Sequence, residues 1–197
     1  GEESDTFQAL TKGVVTNPFT FFREMTGKLQ SRSGNAYAQS WHRLEEEGSA
    51  AVAALDTAEE SFSEIRALKA MLPHLPEEAV LHLGNSLPVR HIQLLAPLLK
   101  DTKLLLKANR GTSGIDGCLS AAVGYAKQTS LPVYAVLGDL AFMYDRNALW
   151  LDKLPDNLCI VVLNNSGGGV FRTLPGAKEQ PELEDYFASA QHTHFQY

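Results

Sequence analysis

The stretch LPVYAVLGDLAFMYDRNALWLDKLPDNLCIVVLNN, residues 131–165, decides the fold of this chain. It places two apolar, strand-like runs, LPVYAVL at 131–137 and LCIVVL at 158–163, on either side of a helix-length segment at 141–154. The first run ends at Gly138-Asp139 and the second at Asn164-Asn165. Two strands joined by a helix are expected to lie parallel in one sheet. The sequence therefore predicts a carboxylate and a carboxamide close together at the carboxyl edge of that sheet.

The same alternation of strand and helix extends toward the amino end. Strand-like runs AVLHL at 79–83 and KLLLKA at 103–108 are followed by helical segments at 89–99 and 116–128. Four strands with intervening helices predict an α/β fold with a parallel sheet flanked by helices. All four strand-like runs lead into Gly, Asn, Ser, Asp or Arg, and ligands bind at this edge of parallel sheets.

The residues before this pattern indicate helices that precede the α/β part. Pro18 is expected in the first turn of a short helix, and a second helix is expected at 36–55. A third helix opens at Thr57, which forms a capping box with Glu60, and ends at Pro73. The apolar residues of the three helices are interpreted as core contacts: Phe19, Phe22, Met25, Leu29, Trp41, Leu44, Val52, Leu55, Phe62, Ile65, Leu68 and Leu72.

Composition narrows the functional classes. The chain has 197 residues, 44% hydrophobic and 20% charged, which suffices for a domain with a core. A net charge of −6 argues against a nucleic-acid surface, and no apolar run reaches the roughly 20 residues of a membrane span. Cys118 and Cys159 are interpreted as buried free thiols in a reducing, cytoplasmic compartment, with a disulfide or a metal pair as the alternative.

The polar edge of the sheet predicts a site for magnesium and phosphate. Asp139 can supply a carboxylate oxygen, Asn165 an amide oxygen and Gly167 a carbonyl oxygen, and phosphate and water can complete the shell. The helices that follow the strands favour phosphate at their amino ends. The alternative is that Asp139 caps the next helix and Asn164-Asn165 form a turn.

Four short sequence words carry a resemblance to a known family. They are GNSLPVR at 84–90, NRGTSGIDG at 109–117, GDLAFMYDRNAL at 138–149 and NNSGGGVF at 164–171. The GD and NN pairs, separated by residues 140–163, resemble the thiamine-diphosphate signature, although Leu140 replaces the usual glycine. Together, the words resemble the 2-succinyl-5-enolpyruvyl-6-hydroxy-3-cyclohexene-1-carboxylate synthase family of menaquinone biosynthesis, in which GDL is a usual form. The strong resemblance covers about residues 79–175.

The resemblance implies thiamine diphosphate with Mg²⁺ or Mn²⁺. The implied metal ligands are Asp139, Asn165 and the carbonyl of Gly167. The implied diphosphate-binding turns also include Gly138, Leu140 and Gly168.

The resemblance also implies that Ser86, Arg90 and Arg110 bind substrate carboxylates. A solvated charge on a helix surface is the alternative for Arg90. Ile115 is either the apolar wedge that bends the cofactor or a residue packed against the sheet. Residues 170–171 (Val-Phe) either line the substrate pocket or belong to a helix core.

The implied reaction is the decarboxylation of 2-oxoglutarate, followed by addition of the resulting succinyl carbanion equivalent to isochorismate. The resemblance also implies a homo-oligomer, either a dimer or a tetramer. Ylid formation in this family needs a glutamate from an amino-terminal domain of a neighbouring subunit, so we expect this chain to be inactive alone. The implied divisions are the end of a middle domain or a linker at 1–34, a helical connection at 35–78, and an incomplete pyrophosphate-binding domain at 79–197.

Two other readings stay open from the sequence. The first is another thiamine-diphosphate enzyme, such as a 2-oxoacid decarboxylase or an acetolactate-type synthase, which has less need for both Arg90 and Arg110. The second is a noncatalytic nucleotide- or phosphate-binding module, although no GxGxxG follows a strand and no P-loop is present. His192 and His194 form an HxH motif, for which metal binding is a minor alternative because no third ligand is nearby in the sequence.

Overall fold

A computed structural model describes residues 5–29, 35–55 and 63–190. The chain divides into two compact units, Gly1–Glu46 and Glu47–Tyr197. The α-helices are α1 Pro18–Lys28, α2 Ala36–Ala54, α3 Glu64–Met71, α4 Leu87–Leu94, α5 Cys118–Ala126 and α6 Asp139–Tyr144. The strands are β1 Val80–Leu83, β2 Leu105–Ala108, β3 Val133–Gly138 and β4 Leu158–Leu163. Short 3₁₀ segments lie at Leu72–His74, Ala96–Leu99, Arg146–Leu149, Gly169–Thr173 and Ala177–Glu179, and a π-helical turn lies at Leu183–Ala188.

The four strands form one parallel sheet in the order β2-β1-β3-β4, which confirms the predicted α/β fold. In the register, Val80 of β1 lies opposite both Leu105 and Val133, and Val133 lies opposite Leu158. All four residues of β1 are buried, as expected for a short apolar run covered on both faces. The strands therefore end together, at one edge.

Helices cover both faces of the sheet. One core cluster joins α3 and α4 to the sheet through Leu68, Ile92, Leu81 and Val136. A second cluster joins α5 and α6 to the sheet, with Leu119, Ala141 and Leu137 among its members, and a third joins Val80, Ala126 and Val133. Because each cluster is anchored on β3, the turn after this strand is held from both sides.

The first unit does not bury the apolar residues that the sequence assigned to a core. Helix α1 begins as predicted, with Pro18 in its first turn and the side chain of Asn17 capping Phe19. However, the helix has no buried residue, and the core interpretation is wrong for Phe19, Phe22, Met25, Leu29, Trp41 and Leu44. A unit of two helices is too small to enclose a core.

The core interpretation is confirmed for apolar residues of the second unit. Val52, Ile65 and Leu72 pack against the cluster around the fully buried Leu68. The capping box at Thr57 lies outside the described residues, as do Phe62 and residues 192–194. The division at 34 and 78 stays a prediction.

Two helices end earlier than their patterns predicted. Helix α4 stops at Leu94, and Ala96–Leu99 forms a 3₁₀ turn, because Pro97 lacks the N–H that would continue the α-helix. Helix α6 begins at Asp139 and stops at Tyr144, rather than running from 141 to 154. The Asp145 side chain accepts bonds from the Ser120 backbone N–H and hydroxyl, both at 2.6 Å, and this contact fixes the turn.

The two cysteines differ in exposure. Both are free thiols and Cys118 is buried, as predicted, but Cys159 is exposed. The burial prediction for Cys159 fails because it lies on β4, an edge strand. None of the helices within the described ranges combines the length and apolar character that a bilayer span requires.

Candidate functional site

A cavity of about 420 Å³ opens at the carboxyl edge of the sheet, a volume typical of small-molecule sites. Residues that follow each of the four strands line it, because parallel strands end at a common edge. The cavity brings together every site residue that the sequence analysis named: Ser86, Arg90, Arg110, Ile115, Gly138, Asp139, Leu140, Asn165, Gly167, Gly168, Val170 and Phe171. It also contains residues that the sequence analysis missed.

Asp139 joins two turns of the cavity wall. Its side chain is 3% exposed. Its Oδ1 accepts the Leu140 N–H at 2.8 Å, and its Oδ2 accepts the Gly167 N–H at 2.7 Å. Asp139 is the first residue of α6, with Gly138 at the N-cap position, and its Oδ1 accepts an N–H of the first turn, so the capping alternative describes one of its two contacts. The carboxylate thereby fixes the loop after β4 against the end of β3.

Gly167 occupies a backbone conformation that only glycine adopts easily. Its φ is +133°, and an added Cβ would lie 2.5 Å from the carbonyl oxygen of Ala188. The next residue, Gly168, donates its N–H to the same Ala188 oxygen at 2.6 Å. The Gly167 carbonyl accepts the Gly169 N–H at 2.9 Å and keeps a second lone pair for another partner.

The two polar atoms of the Asn165 amide differ, because Nδ2 is hydrogen-bonded and Oδ1 has no partner among the described residues. Its Nδ2 donates to Oε1 of Glu64 at 2.6 Å. Its Oδ1 is buried and has no hydrogen-bond partner among the described residues. A buried acceptor without a donor costs about 1–3 kcal/mol, so this oxygen is suited to a ligand that supplies positive charge.

The oxygens around this position fit a hard cation with a phosphate ester. Within the described ranges, no group of three His, Cys, Asp or Glu side chains could hold a metal ion. A cation at this edge would thus depend on Asp139, the Asn165 amide oxygen, a loop carbonyl and oxygens of its ligand. Such a mixed oxygen shell is typical of Mg²⁺, which commonly keeps water and phosphate ligands.

Glu64 is the first functional candidate that sequence reasoning missed. It opens α3, is 8% exposed and lines the cavity. Its second oxygen, Oε2, lies 3.0 Å from Nε2 of His91 on α4. The sequence did contain one indication of this position. Glu64 lies four residues before the apolar Leu68, so the two side chains share one face of the helix, and that face is buried.

Asn85 is the second missed residue. It is 1% exposed and its Nδ2 donates to the carbonyls of Asn109 and Gly114, both at 2.7 Å. Its Oδ1 accepts a hydrogen bond from Nη1 of Arg110 at 2.7 Å. Asn85 therefore connects the turn after β1 to the loop after β2 and holds the guanidinium at the cavity. Its position directly after an apolar strand was the signal in the sequence.

The other polar residues of the cavity are also fixed by local contacts. Nη1 of Arg90 donates to the Ser86 carbonyl at 2.6 Å, one turn back along α4. Ser86 has a φ of +74°, which is uncommon outside glycine and typical of strained functional sites. The Arg90 guanidinium therefore lies beside the end of β1, and the group that accepts its hydrogen bond is a backbone carbonyl rather than a carboxylate.

The apolar wall includes Ile115 and Phe171. Ile115 lines the cavity and also packs against the cluster around Cys118, so its wedge role stays a prediction. Phe171 lies in the 3₁₀ segment Gly169–Thr173, with its ring 5.9 Å from that of Phe187.

Burial raises the pKa of the Cys118 thiol, which fits a packing residue better than a nucleophile.

Comparison with known proteins gives a consistent set of relatives. No protein-family model matches the chain. The chain is similar to proteins named 2-succinyl-5-enolpyruvyl-6-hydroxy-3-cyclohexene-1-carboxylate synthase. It is 42% identical over 185 residues to the one from Desulfotalea psychrophila, which covers 94% of this chain and 32% of that relative. It is 40% identical over 187 residues to the one from Cytophaga hutchinsonii (95% and 33%) and 40% identical over 193 residues to the one from Bacteroides fragilis (98% and 33%). The chain spans about a third of the length of the curated relatives it matches.

Proposed function

This chain is related to the 2-succinyl-5-enolpyruvyl-6-hydroxy-3-cyclohexene-1-carboxylate synthases along nearly its whole length, and we propose that it carries the metal- and diphosphate-binding part of such an active site. The observation that carries the proposal is the buried Oδ1 of Asn165, which has no partner among the described residues and belongs to a cavity that Asp139 and the glycine loop also line. Such an amide oxygen is satisfied by a hydrogen-bond donor or a cation, and a cation is the choice that the neighbouring Asp139 carboxylate favours.

In this proposal, Asp139, Asn165 and the carbonyl of Gly167 hold Mg²⁺ or Mn²⁺. The turns at Gly138, Leu140 and Gly168 are proposed to bind the diphosphate. For this, the N–H groups of Leu140 and Gly168 would exchange their acceptors in the structure, Asp139 and Ala188, for phosphate oxygens. Bound thiamine diphosphate would supply the chemistry that decarboxylates 2-oxoglutarate and transfers the succinyl unit to isochorismate.

The remaining residues of the cavity are proposed to bind the substrates. Arg90 and Arg110 offer guanidinium donors to substrate carboxylates, and the Ser86 hydroxyl offers a further donor. Ile115 and Phe171 exclude water from the reacting end of the cavity. A homo-oligomeric state and a cytoplasmic location stay predictions.

The metal site is tested by titrating the protein with thiamine diphosphate and Mg²⁺ in a calorimeter. Asn165→Ala removes the amide oxygen, and we expect it to weaken Mg²⁺-dependent binding by about tenfold or more. Asn147→Ala is the matched control, because Asn147 is exposed and lies outside the cavity. Equal binding by wild type and Asn165→Ala, or binding of ATP or NAD in place of thiamine diphosphate, would refute the proposal.

The substrate assignment is tested by steady-state kinetics of a full-length synthase that contains these residues, supplied with both substrates, because this chain is expected to be inactive alone. Loss of a charge-assisted hydrogen bond costs about 1.5–3 kcal/mol, so Arg90→Ala and Arg110→Ala should raise a substrate KM by about 10- to 100-fold. Arg146→Ala serves as the control, because Arg146 is exposed and does not line the cavity. Unchanged KM values would instead favour an enzyme for substrates with fewer carboxylates.

A further inference from the structure

We propose that Glu64 is a positioning residue, which orients the Asn165 amide so that its oxygen faces the metal and its nitrogen faces away. The inference rests on the proposed metal site and adds a determinant that lies in a different helix, α3. Glu64 itself is not assigned as a metal ligand.

The first step concerns the two ends of the amide. The oxygen and nitrogen of an asparagine side chain have nearly the same size, so sterics alone do not decide which end faces the cavity. An ionised carboxylate only accepts hydrogen bonds, and Oε1 of Glu64 lies 2.6 Å from Nδ2 of Asn165. This contact selects the orientation that leaves Oδ1 open.

The opposite orientation is disfavoured twice. It would place Oδ1 against the Glu64 carboxylate, where two acceptors repel each other. It would also turn an NH₂ group toward the cation, which needs oxygen ligands. Both penalties are large because Glu64 is 8% exposed and Oδ1 of Asn165 is buried, so water has little access to the contact.

The second step concerns how Glu64 is held. His91 of α4 contacts Oε2 at 3.0 Å, so the carboxylate is fixed by one partner on each oxygen. As the first residue of α3, Glu64 also lies where a negative charge is favoured by the helix dipole. A side chain held in this way can orient its neighbour at a low cost in conformational entropy.

The third step concerns the space around the amide. A Cβ added at Gly169 would collide with Nδ2 of Asn165, so the loop has no room for a side chain there. The NH₂ group therefore lies between a bare backbone and the Glu64 carboxylate. This confinement explains why the orientation depends on Glu64.

The test separates orientation from charge with three variants. Glu64→Gln keeps an oxygen for Asn165 and an NH₂ for His91 but removes the charge. His91→Phe keeps the bond between Glu64 and Asn165. The double variant Glu64→Leu/His91→Phe removes the acceptor and replaces both the buried Glu64 and the partly buried His91 by apolar groups, which limits the loss of stability. The readouts are the Mn²⁺ dissociation constant by electron paramagnetic resonance with thiamine diphosphate present, and the KM for 2-oxoglutarate at saturating metal, measured in a full-length synthase that contains these residues.

We expect Glu64→Gln and His91→Phe to bind Mn²⁺ within about threefold of wild type, and the double variant to bind about tenfold or more weakly. The KM for 2-oxoglutarate at saturating metal should stay unchanged in all three. If Glu64→Gln loses as much affinity as the double variant, the carboxylate acts through its charge and the inference is overturned. Unchanged affinity in the double variant also overturns it.

Two further outcomes have a defined meaning. If the wild type binds neither Mn²⁺ nor thiamine diphosphate, the proposed function fails and the inference fails with it. If the double variant does not melt cooperatively, a crystal structure of the Mn²⁺-loaded wild type decides the question. Nδ2 of Asn165 within hydrogen-bond distance of Glu64 supports the inference, and separation of the two side chains overturns it.

Discussion

Replacement of Asn85 by alanine should weaken both the fold and the binding of a substrate carboxylate. The side chain is almost fully buried and makes three contacts of 2.7 Å. Two of them join β1 to carbonyls of the loop after β2, at Asn109 and Gly114. The third holds the guanidinium of Arg110. The two effects can be measured separately.

The expected loss of stability follows from these contacts. Each of the two bonds to backbone carbonyls contributes about 1 kcal/mol, and the space left by the truncated side chain adds about 1 kcal/mol more. The free energy of unfolding should therefore fall by about 3 kcal/mol. For a chain of this length, this corresponds to a fall of about 6–12 °C in Tm.

The expected effect on binding is smaller. Without Asn85, Arg110 must be ordered by the substrate itself, at a cost of about 0.5–1.5 kcal/mol, so a substrate KM should rise about 2- to 10-fold. Asn85→Asp separates the two roles, because a carboxylate cannot donate to the carbonyls but still accepts from Arg110. It should lose stability as Asn85→Ala does, and its KM should rise because the new carboxylate pairs with Arg110 and competes with the substrate, rather than because Arg110 is disordered.

The assay combines urea unfolding of this chain with steady-state kinetics of a full-length synthase that contains these residues. Asn157→Ala is the matched control, because Nδ2 of Asn157 donates to three carbonyls before β3, at the opposite edge of the sheet. It should lose stability without a change in KM. An unfolding free energy for Asn85→Ala within about 0.5 kcal/mol of wild type would refute the reasoning. An equal rise in KM for Asn85→Ala and Asn157→Ala would also refute it.

Three other perturbations have defined outcomes. Gly167→Ala should lower the unfolding free energy by about 3 kcal/mol in urea titrations, because its φ is +133° and the new Cβ meets Ala188. Burial lowers the pKa of His82 from 6.5, so its stabilising contribution is complete above pH 6.5 and is lost as pH falls toward the lowered pKa. His82→Leu should flatten that part of a Tm-versus-pH profile. The hydrogen bond from Arg172 lowers the pKa of Glu184 from 4.5, so this contribution is present above pH 4.5 and is lost as pH falls through the lowered pKa. Glu184→Gln should remove that acid-side decline from the same profile.

Each of these three has a matched control. Gly176 also has a positive φ, but an added Cβ there meets nothing within 4 Å, so Gly176→Ala should cost less than Gly167→Ala. An equal cost would show that the contact with Ala188 is irrelevant. His74→Leu is the control for His82→Leu, because it removes an exposed imidazole in place of a buried one. Asp156→Asn removes an exposed ion pair with Lys153, and an effect on the acid limb as large as that of Glu184→Gln would contradict the Arg172 assignment.

The sequence by itself determined the α/β fold and the edge at which the site forms. Strand-length apolar runs alternate with helical segments, and this local periodicity needs no knowledge of distant contacts. Because parallel strands end at a common edge, the residues after each strand converge, and Asp139, Asn165, Arg90 and Arg110 line one cavity.

The tertiary structure alone decided exposure and helix length. The apolar faces of α1 and the start of α2 resemble core faces in sequence, yet they are exposed in a unit with too little material to cover them. Helix α6 ends at Tyr144 because Asp145 is bonded to Ser120, a residue from another helix. Local patterns carry no information on such partners.

The same limit explains the two residues that the sequence did not reveal. Asn85 bonds to atoms 24 to 29 positions away, and Glu64 bonds to Asn165 across 101 positions. Residue types indicated that an amide oxygen belongs at the site. Which end of that amide faces the cavity depends on a carboxylate from α3, because hydrogen bonding between distant elements, and not local periodicity, sets side-chain orientation.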